Sequence, residues 1–218
     1  MELARVKIYR MTHIKNIPHI LEYGITHKSS PNANPNFVAI GDVSLIDTRS
    51  GKRVRISNGD NFRADAPSIV LGDFIPFYFG IRMPMLYVVQ NGGNFVQTPT
   101  RAEDIIYLVC SVSDIAQSTN AYYFSDGHAT DNLTTFYGAD KIHELPNLVN
   151  WDAVKASYWG GQENLNIKRK KQAEFLIASD LPPHLLVGFG CFNQDAKQRL
   201  MSMGVGEEKI KIIPNGYY

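Results

Sequence analysis

The segment Lys168-Arg169-Lys170-Lys171-Gln172-Ala173-Glu174-Phe175-Leu176-Ile177-Ala178 sets four cations directly before an apolar run that carries one carboxylate. Phe175, Leu176 and Ile177 favour extended backbone, so the run reads as a buried strand entered from a basic segment. A carboxylate on such a strand has to be solvated, paired or put to use, because an ionised Glu without a partner is expensive to bury. Cations beside a lone acid at the mouth of a site suit an anionic substrate and a cationic intermediate. The plainer alternative makes Glu174 a strand-edge charge and the cations a wet loop. This segment alone leaves both open.

Other chemical signatures are missing from the chain. No Gly-x-Gly-x-x-Gly follows a strand, no phosphate loop ends in Gly-Lys-Ser/Thr, and there is no nucleophile elbow. His13 and His19 lie six apart, and neither His128 nor His143 has a Cys or a second His at helical distance, so no metal site is expected. Cys110 and Cys191 are too few for a disulfide framework and sit in apolar contexts, as buried free thiols do.

These residues need elements to hold them. The 218 residues, 44% hydrophobic and 20% charged, have the composition of an ordinary globule and can bury a real core. A net charge of +1 argues against nucleic-acid binding by bulk charge, so any such binding has to come from a local patch. Met1-Glu2-Leu3-Ala4-Arg5 lacks an apolar signal core and no 18 apolar residues run together, which predicts a cytoplasmic protein without a membrane partner.

Val6, Ile8 and Met11 alternate with polar neighbours as in a half-buried strand. Asn16 is placed to cap a short helix with Ile17, Ile20 and Leu21 on its apolar face and Gly24 as its stop. From His27 to about Ser68 the chain is rich in Asn, Pro, Ser, Gly and charge, with one apolar island at Val43 to Ile46; this reads as a lid or binding loop. Ile75 to Gln90 is aromatic and apolar, broken by Pro76, Gly80 and Pro84. Ile105–Cys110, Tyr122–Phe124, Ala173–Ala178 and Leu185–Phe189 read as core strands, and Asn150–Trp159 and Gln194–Met203 as helices. Short strands and helices in no regular alternation predict an α+β fold over residues 1–218 as one domain.

Four segments remain unexplained by that scaffold: Tyr9-Arg10-Met11-Thr12-His13, the run Pro76 to Tyr87, Phe124-Ser125-Asp126-Gly127-His128-Ala129, and Lys171-Gln172-Ala173-Glu174-Phe175-Leu176. Together, and in this order, they resemble the DarT family, toxins of toxin–antitoxin systems that transfer ADP-ribose from NAD onto bases of single-stranded DNA. The likeness runs from about Lys7 to Tyr217-Tyr218. It implies an ADP-ribosyltransferase fold, a split β-sandwich with surrounding helices and a long N-terminal loop region, whose cleft holds NAD as substrate. It also implies a macro-domain antitoxin of the DarG type as partner. Ser30-Pro31-Asn32-Ala33-Asn34-Pro35 and Leu71-Gly72-Asp73-Phe74-Ile75-Pro76 look more like the guanine-modifying branch than the thymine-modifying one.

The resemblance places the catalytic Glu at Glu174. Loss of nicotinamide leaves an oxocarbenium-like cation, which one well-placed carboxylate can stabilise. The family's first strand reads His-x-Thr-His and holds the nicotinamide end of NAD; here it is Arg10-Met11-Thr12-His13, which carries over Thr12 and His13. Arg10 departs from the pattern and either meets the pyrophosphate or points elsewhere. The family arginine of the long loop falls on Arg49, with Arg53 as the fallback. Among the aromatics, Tyr78 is the choice for packing on a ring of NAD because its hydroxyl tolerates a wet cleft. Arg82, alone in an uncharged run, needs a phosphate or an internal carboxylate. His128 is a candidate for contacting or deprotonating the acceptor base. Lys168, Arg169, Lys170 and Lys171 are expected to hold DNA phosphates, with Tyr158, Trp159 and Tyr123 stacking bases. Competing readings are an ADP-ribosyltransferase acting on protein and an idle NAD or nucleic-acid binding module of the same fold.

Overall fold

The first strand forms where the alternation predicts it, β1 over Lys7–His13, with Val6 and Ile8 buried. The computed structural model describes residues 2–41, 43–60, 62–93, 96, 98–118 and 121–218. After β1 come α1 (Ile17–Tyr23), α2 (Val43–Gly51), β2 (Arg53–Arg55), β3 (Ser68–Val70), β4 (Ile75–Tyr78) and α3 (Pro84–Asn91). The chain continues through β5 (Ile105–Ser111), α4 (Val112–Gln117), β6 (Tyr122–Ser125), β7 (Phe136–Tyr137), α5 (Leu145–Leu148) and α6 (Trp151–Lys155). It ends with α7 (Leu165–Lys171), β8 (Glu174–Ile177), β9 (Leu186–Cys191), α8 (Gln194–Ser202) and β10 (Ile210–Ile212).

Eight strands form one mixed sheet in the order β10-β9-β5-β1-β4-β8-β6-β7, and β2 and β3 form a separate ribbon. Among the described residues only the β9–β10 pair is parallel. β1 pairs with β5 from Lys7↔Ser111 to His13↔Ile105, but it meets β4 at a single rung, Tyr9↔Tyr78. That rung divides the sheet into β10-β9-β5-β1 and β4-β8-β6-β7, the division that a split sandwich requires. β8, the fully buried strand, pairs with β4 from Ile75↔Ile177 to Tyr78↔Glu174. The main core packs Ile8, Phe77, Phe124 and Phe175 with α1 and α8. A second cluster joins Tyr107, Leu86 and Tyr217, and a third lies under the β2–β3 ribbon around Ile56, Leu71 and Leu176.

Several local expectations give way to tertiary contacts. Asn16 precedes α1 but does not cap it with its side chain. It is wholly buried, and its amide bonds Thr12 Oγ1 (3.0 Å) and both backbone groups of Val38 (2.9 Å), tying the following loop to the end of β1. The stretch expected to be lid contains a helix, α2, and the ribbon β2–β3; the side chains of Val43 and Leu45 in its apolar island lie outside the described residues. α2 is seated by Gly72, where a Cβ would stand 2.6 Å from Ser50 O. The helix expected over Asn150–Trp159 stops at Lys155, so Tyr158 and Trp159 lie beyond it. Lys168–Lys171 are the last turn of α7 and not a loop. Lys and Arg are good helix formers, and cations at a helix C-terminus meet the negative end of its dipole.

Candidate active site

Glu174 opens β8 with its side chain wholly buried. Its Oε1 accepts from the Ala129 amide (3.1 Å) and from Arg49 Nη1 (3.0 Å), and the same nitrogen lies 2.8 Å from Oε2. The Glu174 amide donates to Ser125 Oγ (3.0 Å), whose hydroxyl donates to Gly127 O (2.7 Å). β8 and the loop after β6 are thereby locked together. Oε2 of Glu174 and Nη2 of Arg49 are buried and have no hydrogen-bond partner among the described residues. Buried polar groups are paired in the great majority of cases, which makes the unmatched Nη2 a candidate position for a ligand's acceptor, whereas Oε2 already faces Arg49 Nη1.

Arg49 reaches Glu174 from α2, whereas Arg53 is an exposed residue of β2. Of the two arginines, Arg49 is the one brought to Glu174. Arg49 lines a cleft of about 310 Å³ with Arg10, His27, Phe74, Tyr78 and His128 among others. Arg10 Nη1 donates to Pro76 O (2.9 Å). Burial first, and the charge of Arg49 second, bring Arg10 down to about 10, which leaves it a cation at neutral pH. Burial pushes the Tyr78 hydroxyl up, so it stays protonated and serves as a donor. Burial also lowers His128 below its ordinary value, and its Nδ1 lies 3.1 Å from Thr130 Oγ1. A neutral imidazole has one ring nitrogen free to accept a proton.

The other expected residues divide. Thr12 is buried, accepts from Asn16, and lines a smaller cavity next to the cleft with Arg10. His13 does not line the cleft: its Nδ1 accepts from Lys15 N (3.1 Å), at the start of a helical turn. Arg82 also lies away from the cleft. Its guanidinium sits 4.6 Å above the ring of Tyr218, and no carboxylate pairs with it among the described residues.

The basic segment is not a uniform DNA surface either. Arg169 is an internal clamp, bonding Asp126 Oδ1 and Thr134 Oγ1 (both 3.3 Å), while its carbonyl accepts from the His128 amide (2.9 Å). Its side chain is about 10% exposed, and it holds the loop that carries His128 and the Ala129 amide. Lys171 is 2% exposed and donates to Val154 O. Lys168 is exposed and Lys170 half-buried, and the Lys168 ammonium lies 5.3 Å from the ring of Trp159. The three aromatics do not form one platform. Trp159 Nε1 donates to Tyr218 Oη (2.8 Å), Tyr158 is 68% exposed, and Tyr123 packs edge-on to Phe74 beside Leu176. The Ala129 amide and His27 escaped sequence reasoning. A backbone donor leaves no residue-type signal, and His27 sat inside a stretch read only as loop.

A family model described as "ssDNA thymidine ADP-ribosyltransferase, DarT" matches residues 9–218. The chain belongs to the DarT family. It is 32% identical over 208 residues to the DNA ADP-ribosyl transferase of Thermus sp. (strain 2.9), covering 94% of this chain and 86% of the relative. The structure of Thermus sp. 2.9 DarT in complex with ADP-ribosylated ssDNA superposes with a TM-score of 0.78 at 26% identity, over 98% of this chain and 96% of that one. The carba-NAD+ complex of the same protein gives 0.74 at 26% identity, over 98% of both chains. A DNA ADP-ribosyl transferase–DNA ADP-ribosyl glycohydrolase fusion protein of Thermosipho africanus is 25% identical over 210 residues, which are 96% of this chain and 48% of the fusion. This DarT-family chain is thus an NAD-dependent DNA ADP-ribosyltransferase, and NAD is its substrate. The family description names thymidine, the base that the sequence reading placed second to guanine. Among the described residues no group of three or more His, Cys, Asp or Glu is placed to hold a metal ion, and no helix is long and apolar enough to cross a membrane.

Proposed function

We propose that residues 1–218 act as one domain that joins ADP-ribose to thymine in single-stranded DNA, and that the protein is the toxin of a toxin–antitoxin pair. The observation that carries this reading is the Arg49–Glu174 pair, with Arg49 on the cleft wall and its buried Nη2 without a partner among the described residues. In the reaction the bond from the ribose C1′ to the nicotinamide nitrogen breaks, and nicotinamide leaves with the electron pair. A base nitrogen then supplies the pair for the new bond to C1′ and loses its proton. Glu174 is suited to hold a ribose hydroxyl and to stabilise the cation at C1′. Arg10 and Arg49, both cations on the cleft wall, suit the pyrophosphate. His128 on the same wall suits the proton of the base.

An oligonucleotide assay tests it. The protein and NAD are incubated with single-stranded oligomers containing one thymine and no guanine, or one guanine and no thymine. The mass of one ADP-ribose should appear on the thymine oligomer and be absent from its matched duplex, because extruding a paired base costs a few kcal/mol. Labelling of the guanine oligomer alone would move the target to guanine, the reading favoured by the Asn-Pro-rich stretch at Ser30–Pro35. No labelling of either single strand overturns the proposal. For the toxin role, the fusion of a transferase to a glycohydrolase in a relative supports a macro-domain antitoxin that removes the mark. Expression should arrest growth, and co-expression of such a glycohydrolase should relieve the arrest.

A further inference from the structure

A second cavity, of about 460 Å³, flanks the β1–β4 rung. Arg10 and Tyr78 line the active cleft, and their chain neighbours Tyr9 and Phe79 line this one. The two spaces therefore share the junction as a wall. Arg5, Lys7, Arg82, Lys155 and Lys171 all line the second cavity, and no Asp or Glu does. In a chain of net charge +1 this is a local concentration of one sign. Arg5 has an exposed partner in Glu2 at 3.6 Å, outside the lining.

Two of these cations are held in place without a counterion. Arg82 adopts φ +56°, a strained conformation for a residue with a Cβ. Its amide donates to Tyr107 Oη and its carbonyl accepts from Tyr218 Oη, both at 2.9 Å, and Tyr107 is itself tied to Gly216 O. Backbone strain persists where the surroundings over-determine it, and it is concentrated at ligand clamps. The Arg82 Nε is buried and has no partner among the described residues. Lys171 is 2% exposed and gives one of its three N–H donors to Val154 O (2.9 Å). Burial first, and the charge of Arg82 second, lower Lys171 to about 8. The carbonyl end of α7 and the Tyr218 ring offset part of that cost, but neither brings a negative charge.

We infer that this second cavity is a phosphate-binding site for the backbone of the single-stranded DNA substrate, with Arg82 and Lys171 inside and Lys7 and Lys155 at the rim. The inference rests on the DNA substrate of the proposed function. A phosphodiester supplies the missing charge and acceptors for Arg82 Nε and the Lys171 ammonium. Tyr158, exposed and one residue beyond the lining residue Ser157, gives the adjoining base a surface to stack on, which a free phosphate would not use.

The test measures binding of a labelled single-stranded oligonucleotide by fluorescence anisotropy across salt concentrations, without NAD. Its outcome therefore does not depend on transfer taking place. The rim double variant Lys7→Gln/Lys155→Gln, chosen to leave the interior packing alone, should lower the slope of log K against log salt by about 1.4, from roughly 0.7 per lost contact on a single strand. Lys171→Met should weaken binding at least tenfold, and inorganic pyrophosphate should displace the oligonucleotide from the wild type. Lys141→Gln, the same charge change on a surface lysine paired with Glu144, should match the wild type. Wild-type affinity and slope in both the rim and Lys171 variants overturn the proposal. Pyrophosphate binding that is lost in Lys171→Met while oligonucleotide affinity is unchanged overturns the assignment to DNA.

Discussion

Replacing either partner of the Arg49–Glu174 pair by Gln should stop transfer, yet the two variants should differ in stability. Glu174 is wholly buried, whereas the Arg49 side chain is 15% exposed on the cleft wall. Arg49→Gln strands a buried carboxylate on one backbone donor, the Ala129 amide. Breaking a buried pair in that way costs about 3–5 kcal/mol. Glu174→Gln keeps a side-chain oxygen that can accept from Arg49 and leaves no buried charge on β8, so its cost should be smaller than that of Arg49→Gln. Urea unfolding measures both stabilities, and single-turnover labelling of an oligonucleotide measures the rate. Glu174→Gln should lose about 10²–10³-fold, the usual worth of a preorganised group facing developing charge. More than roughly a tenth of wild-type rate in Glu174→Gln would refute the catalytic reading, since such a contact supplies about 10² or more. Equal stability loss in the two variants would refute the burial argument.

Arg169→Gln should slow transfer by loosening the loop that carries His128 and the Ala129 amide, while the salt dependence of oligonucleotide binding stays as in the wild type; a reduced slope with an unchanged rate would make Arg169 a phosphate contact instead. The double variant Lys168→Gln/Lys170→Gln should raise the apparent KM for oligonucleotide and lower its salt slope by about 1.4, and unchanged values would return the outer face of α7 to plain solvent. Because burial lowers His128 below its ordinary 6.5, the rate should hold as pH falls past 6.5 and decline only when the ring takes up its proton; His128→Gln should slow the reaction and abolish that acid limb in a pH–rate profile.

What was legible in the sequence was local. β1, β5, β8 and α8 follow from hydrophobic period and a terminal glycine, and Glu174 stands out because nothing next to it in sequence pairs it. The arginine that does pair it was one of two in a stretch of weak pattern, and only the tertiary contact of α2 with β8 shows which one reaches Glu174. The cations before β8 read as one patch because sequence gives order and not direction. On a helix they point differently, so Arg169 turns to Asp126, Lys171 into the interior and Lys168 to Trp159. The second cavity was invisible for the same reason: its cations come from the approach to β1, from β1 itself, and from the segments around Arg82, α6 and α7.

The lone Tyr9↔Tyr78 rung has a mechanical meaning as well. A broad sheet resists shear across its width, but here the stiff run of ladders is interrupted where β1 passes β4. Arg10 and Met11 belong to one side of that seam, and Tyr78 to the other, and all three line the cleft. A ligand seated there works as a rivet across the seam. Its binding free energy, about 2.7 kcal/mol of added stability at 100 times its Kd, is delivered across this junction. Amide exchange should then slow most at Tyr9, Tyr78 and their neighbours when NAD binds. That pattern of exchange would mean that the seam takes part of its rigidity from the chain's own substrate.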